Sequence, residues 1–130
     1  MSLDSGTRKT FAQIKGVDCF DKVKNNIRKY SKNGRVVLKY IILPNVNDNI
    51  DDIKGFLSFA KEIGTDSIEI VRNYLEHNNM HDNEFDFQNF NWSNQTMKLI
   101  KLFFNLCIEE KFVIQATNFP QNYKEVLNLN

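Results

Sequence analysis

This chain has little cysteine, no long hydrophobic run and almost no excess charge, and each shortage removes a class of function. Its two cysteines, Cys19 and Cys107, stand far apart and match no metal or redox spacing. Buried free thiols in a reducing compartment are therefore expected rather than a disulfide. The apolar runs are short, the longest lying around Tyr40 to Leu43, and none approaches the roughly 20 residues that cross a bilayer. The opening Met1-Ser2-Leu3-Asp4-Ser5-Gly6 has no basic stretch followed by an apolar one, which argues against a secretory signal and for a cytoplasmic setting. Seventeen basic against sixteen acidic residues leave a formal charge of +1, which offers no footprint for a nucleic-acid backbone or an anionic membrane.

What is there is 130 residues, 42% of them hydrophobic, enough for one core and one domain, or part of one. Ser2-Leu3-Asp4 reads as the end of a strand and Ser5-Gly6-Thr7 as the turn leaving it. From Asp18 to Lys32, Phe20, Val23, Ile27 and Tyr30 recur at helical spacing, with Asp18 as the expected N-cap and Gly34 beyond the end. Val36 to Leu43 is almost continuously apolar, as in a parallel strand covered on both faces, and Pro44 ends it. Asn49 is placed to cap a second helix with Asp52 at its third position, and Ile53, Phe56, Leu57, Ala60 and Ile63 form its stripe before Gly64.

Ser67 to Val71 reads as a short strand, followed by a long polar loop from Asn73 to Trp92. Ser93 caps a third helix whose buried stripe is Met97, Ile100, Phe103, Phe104 and Cys107, up to about Lys111. Phe112 to Thr117 is the last strand, and Pro120 opens a short closing helix with Tyr123, Val126 and Leu127. Strands and helices alternate, so the class is α/β, with about four parallel strands joined by right-handed crossovers. Four such strands alone would leave an unpaired edge, so a slice of a (β/α) barrel is expected.

The run Ser2-Leu3-Asp4-Ser5-Gly6-Thr7, then Ile14-Lys15-Gly16 with the helix from Phe20, then Leu38-Lys39-Tyr40-Ile41-Ile42-Leu43-Pro44-Asn45-Val46-Asn47-Asp48, resembles the radical S-adenosylmethionine family over about Ser2 to Val71. The family's fifth strand ends in a Gly-Val-Asn-Asp-like turn, and here Asn45 stands at the glycine. The resemblance implies a partial (β/α) barrel in which Met1 to Asp4 is strand four, Val36 to Leu43 strand five and Ser67 to Val71 strand six. It also implies that the first three strands are missing, and with them the Cys-x-x-x-Cys-x-x-Cys loop that holds a 4Fe-4S cluster. That cluster and S-adenosylmethionine would belong to the full-length enzyme, and neither is expected to be held by this chain alone. Cofactor chemistry of this kind leaves the protein to position and orient.

By that resemblance Ser2 and Asp4, at the carboxyl end of the first strand, are candidate cofactor contacts, Asp4 accepting from ribose or substrate hydroxyls; the alternative is that Asp4 caps the turn with Ser5 and Gly6. Lys39, the one charge in its strand, shares a face with Val37, Ile41 and Leu43. It would meet the cofactor's carboxylate or an anionic substrate, or else snorkel from an outer position. Glu69 alternates with Ile68 and Ile70 and is expected beside Lys39 in the cavity, with a simple ion pair as the alternative. Asn47 and Asp48 are read as fixing the loop or capping the next helix.

His77 and His81 with Asp82, Glu84 and Asp86 lack the glutamate of a zinc hydrolase motif and are read as a solvated loop, so no metal site is expected. Phe85, Phe87, Phe90 and Trp92 lack interleaved basic residues and read as a hydrophobic flap rather than a platform for nucleic acid. The expected partner is the missing N-terminal half of the barrel or a second copy of the chain. Two functions stay open: the C-terminal portion of a radical enzyme, inactive alone, or a non-enzymatic half-barrel that associates with itself or another protein.

Overall fold

The computed structural model describes residues 1–73 and 92–129. The expected loop from Asn73 to Trp92, the histidine group at His77 and His81 with its acidic neighbours, and Phe85, Phe87 and Phe90 of the flap lie wholly or almost wholly outside the described residues.

Eight elements follow in order: α1 (Arg8–Lys15), α2 (Phe20–Asn33), β1 (Val37–Ile42), α3 (Ile50–Glu62), β2 (Ser67–Arg72), α4 (Asn94–Glu109), β3 (Val113–Thr117) and α5 (Tyr123–Val126). The helix starts follow local chemistry. Asn49 accepts from the Asp52 amide at 2.9 Å and Ser93 from the Thr96 amide at 3.1 Å, each satisfying a donor that the first turn leaves without a partner. The start of α2 departs from expectation. Cys19, not Asp18, stands at its N-cap without a side-chain bond, because the Arg8 guanidinium draws Asp18 into an ion pair at 3.2 Å and also contacts Asp21. The sequence pattern had not marked α1, which is capped by Thr7 and stopped by Gly16 at φ 75°.

The three strands are parallel in the order β1-β2-β3. This corrects the expected four. The first segment pairs at one point only, Ser2 with Lys39, because Asp4 turns into the left-handed region at φ 60° and ends the ladder. Leu38, Tyr40 and Ile42 are fully buried, whereas Val37, Lys39 and Ile41 are half-buried. Among the described residues, the helices pack on one face. There Tyr40 meets Phe56 of α3 and Phe103 of α4, ring centroids 4.8 and 4.9 Å away, in edge-on geometries that suit aromatic quadrupoles. Arg28 bonds Glu62 at 2.6 and 2.9 Å, and Lys61 reaches Glu110 at 2.5 Å, so α2, α3 and α4 stand side by side.

A backbone crossing fixes the N-terminal turn on this layer. A Cβ added to Gly6 would overlap the Asp52 carbonyl and the Phe56 amide, and one added to Gly55 would overlap the Gly6 carbonyl. Only two glycines let the chain approach α3 so closely.

Candidate functional site

Parallel pairing sets the opposite face of the sheet in three rows: Val37, Ser67 and Val113; Lys39, Glu69 and Gln115; Ile41, Val71 and Thr117. The bottom and top rows are mainly apolar or small, but the middle row is polar on all three strands. Removing those groups from water without partners costs several kcal/mol, of order 1–3 for each neutral group and more for each charge. A dry protein layer is a poor cover for such a row.

Lys39 and Glu69 are direct register partners and both are half-exposed, as alternation predicts. No ion pair joins them. Glu69 Oε1 instead accepts from Thr117 Oγ1 at 2.7 Å, on the side of β3. Gln115 is exposed at the end of the row.

Ser2 and Asp4 are arranged differently. Asp4 is 2% exposed and lies along the outer edge of β1. Its Oδ1 accepts from the Ile41 amide at 2.8 Å, and its Oδ2 accepts from Lys15 Nζ at 2.9 Å and from the Ser2 hydroxyl. The carboxylate therefore ties the edge together with protein donors, rather than capping its own turn. Asn47 continues this edge: Nδ2 donates to the Ile41 carbonyl at 2.7 Å and the Asp4 carbonyl at 2.8 Å, while Oδ1 accepts from the Leu43 amide at 2.8 Å. The Asn47 carbonyl accepts from the Tyr40 hydroxyl at 2.5 Å. Burial foremost, then the carboxylates of Asp52, Asp4 and Asp48, push the Tyr40 phenol far above its ordinary value.

Asp52 serves the same corner from α3. Its Oδ1 accepts from the amides of Gly6 and Thr7, each at 3.0 Å, and from Thr7 Oγ1 at 2.9 Å. Its Oδ2 accepts from Thr10 Oγ1 and Asn49 Nδ2, each at 2.7 Å. Asp48 accepts from Thr96 Oγ1 at 2.6 Å and so links the loop after β1 to the start of α4. The reading of Asn47 and Asp48 as residues that fix loop geometry agrees with these bonds.

Sequence reasoning missed Arg72. It is fully buried at the carboxyl end of β2, its guanidinium 6.0 Å from the Trp92 ring and its carbonyl accepting from Asn118 Nδ2 at 3.1 Å. The signal was an arginine directly after the apolar run Ile70-Val71. A groove lined by Met1, Tyr30, Asn33, Arg35 and Val37 opens at the amino ends of the strands, away from the Asp4 and Asn47 corner.

An iron–sulfur cluster is held by several cysteine thiolates close together. Cys107 is fully buried, its thiol pushed up to about 12 by burial, and Cys19 stands at the start of α2. No group of three or more His, Cys, Asp or Glu side chains suited to a metal ion exists among the described residues. The described residues thus do not fit a cluster. No helix among them is long and apolar enough to cross a membrane. No family model, curated protein or solved structure matches the chain.

Proposed function

We propose that this chain forms the later part of a parallel barrel in a radical S-adenosylmethionine enzyme and lines its reaction cavity, the cluster thiolates coming from residues beyond those described. The observation that carries this reading is the polar row Lys39, Glu69 and Gln115 on the face opposite the helices. In a (β/α) barrel that face is the interior, and strands follow one another around it in chain order, as β1, β2 and β3 do. The turn after β1 adds support. Asn45 adopts φ 64°, the left-handed backbone that glycine takes most easily, where the family has glycine.

In this reading Lys39 receives the cofactor's carboxylate and Glu69 faces the cavity beside it. Ser2 and Asp4 shape the cavity's edge by fixing where the first segment ends.

The test is the coding sequence upstream of Met1. An in-frame strand followed by Cys-x-x-x-Cys-x-x-Cys is the expected result, and its absence would remove the radical reading. A second reading, a half-barrel that associates with another copy, is favoured by the outer edge of β3, which pairs with no described strand. A strictly monomeric native mass would remove it.

A further inference from the structure

The near-zero net charge hides an uneven distribution. Between Arg8 and Arg35 nine basic residues stand against two acidic ones, whereas the rest of the chain holds eight basic against fourteen acidic. Several cations of that basic stretch are engaged within the fold: Arg8 by Asp18 and Asp21, Lys15 by Asp4, Arg28 by Glu62 and Arg35 by Asp66. Lys24 lies over the rings of Phe20 and Phe59, 5.0 and 4.8 Å from their centroids. Lys22, Lys29 and Lys32 differ, since each is exposed and makes no ion pair among the described residues.

Helical spacing puts Lys22 and Lys29 two turns apart on the outward face of α2, about 10 Å along its axis, with Lys32 nearly one turn beyond. The residues that share this face, Asn25, Asn26 and Asn33, are neutral and do not offset the charge. The helix bears a local cost for this pattern, because Arg28 and Lys32 are like charges four residues apart. Near the same end stands Tyr30, 61% exposed, on the groove that Asn33, Arg35 and Val37 also line.

A line of ammonium groups that ends at an exposed aromatic ring and a groove matches a ligand with carboxylates along its length and an apolar side chain at one end. Nucleic acid and anionic lipid match less well: the carboxylates of Asp21, Glu62 and Asp66 border the lysines and oppose a uniformly negative phosphate surface. A protein surface is a mosaic of charge and avoids that conflict. We propose that the outward face of α2, through Lys22, Lys29 and Lys32, docks an acidic segment of another protein whose apolar end enters the groove beside Tyr30. This surface lies away from Lys39 and Glu69 and does not depend on the reading of their face as a cavity.

The test is an amide NMR titration of the whole chain at low salt with two acetylated peptides, hexaglutamate and hexaglutamate followed by leucine. The leucine peptide is expected to shift the amides of Lys22, Lys29, Lys32 and Tyr30 and to bind more tightly than hexaglutamate, with affinity falling as salt is raised. Lys22→Gln, Lys29→Gln and Lys32→Gln combined should weaken binding by about tenfold, as three exposed charge pairs imply. Tyr30→Ala should remove the advantage of leucine and leave hexaglutamate binding in place. All four side chains are exposed, so unchanged amide positions in α3 and β1 will show that the variants remain folded. Absence of shifts in α2, full affinity in the triple variant, or equal binding of the two peptides would overturn the assignment. Binding of hexauridylate or of phosphatidylserine vesicles as tight as that of the leucine peptide would overturn it in favour of a phosphate surface, and a native mass of two copies that falls to one in the triple variant would overturn it in favour of a second copy.

Discussion

The Asp4 carboxylate occupies the place of a strand backbone beside Ile41: its Oδ1 accepts the Ile41 amide at 2.8 Å where a neighbouring carbonyl would otherwise sit. Below it the Lys39 amide donates to the Met1 carbonyl at 2.8 Å, and above it Asn47 serves the Ile41 carbonyl and the Leu43 amide. The outer edge of β1 is thus satisfied first by backbone and then by two side chains.

Hydrogen exchange reads this directly. The Ile41 and Leu43 amides are expected to exchange slowly, like amides inside the sheet, although no described strand lies beside them. Exchange of Ile41 at the rate of an exposed amide would contradict the Asp4 bond.

Asp4→Ala is expected to lower stability by about 1–3 kcal/mol, because it leaves the Ile41 amide without an acceptor and puts alanine at a positive φ. Asp4→Asn keeps an acceptor and tolerates that backbone, so it should cost less. Urea unfolding of the two variants checks the order.

Gly55→Ala is expected to cost about 1–3 kcal/mol or more, since the new methyl overlaps the Gly6 carbonyl and neither backbone can yield without moving α1 or α3. The same change at Gly34, where a Cβ meets nothing, should be close to neutral. Thermal melts of both variants make the comparison.

Stability should fall at alkaline pH in two stages. The Cys107 thiol is held at about 12 in the fold against 9.0 ordinarily, so above pH 9 the unfolded chain binds fewer protons than the native one. Stability then drops with rising pH by about 1.4 kcal/mol per unit for one group. Above pH 10.0 the unfolded chain begins to lose the Tyr40 proton as well, while burial keeps the phenol protonated in the fold. Stability–pH curves should show Cys107→Ala flattening the first stage and Tyr40→Phe the second.

Much of the helical layer was legible, because its signals are local. Asn49 and Ser93 announced their helices, and Phe56 and Phe103 stood at core-facing positions. Helix α1 was not legible: only Thr10 and Phe11 are buried in it, and the carboxylate that secures its start, Asp52, lies 42 residues beyond Thr10. Asp18 looked like a cap until Arg8, 10 residues earlier, claimed it. Strand alternation correctly placed Lys39 and Glu69 on one face, but Thr117, which keeps Glu69 from Lys39, comes 48 residues later. The bonds of Asp4 were not legible, because its donors arrive from Lys15 and Ile41, which no local pattern links to it.

The side chains that close the upper edge of β1 also decide how sheets can grow. A foreign strand sliding along this molecule finds backbone to template it only outside Met1 to Leu3, because beyond Lys39 the ladder positions are already filled by Asp4 and Asn47. Runaway edge-to-edge stacking, the usual hazard of an unclosed sheet, is confined on this side to a stretch too short to nucleate a fibril.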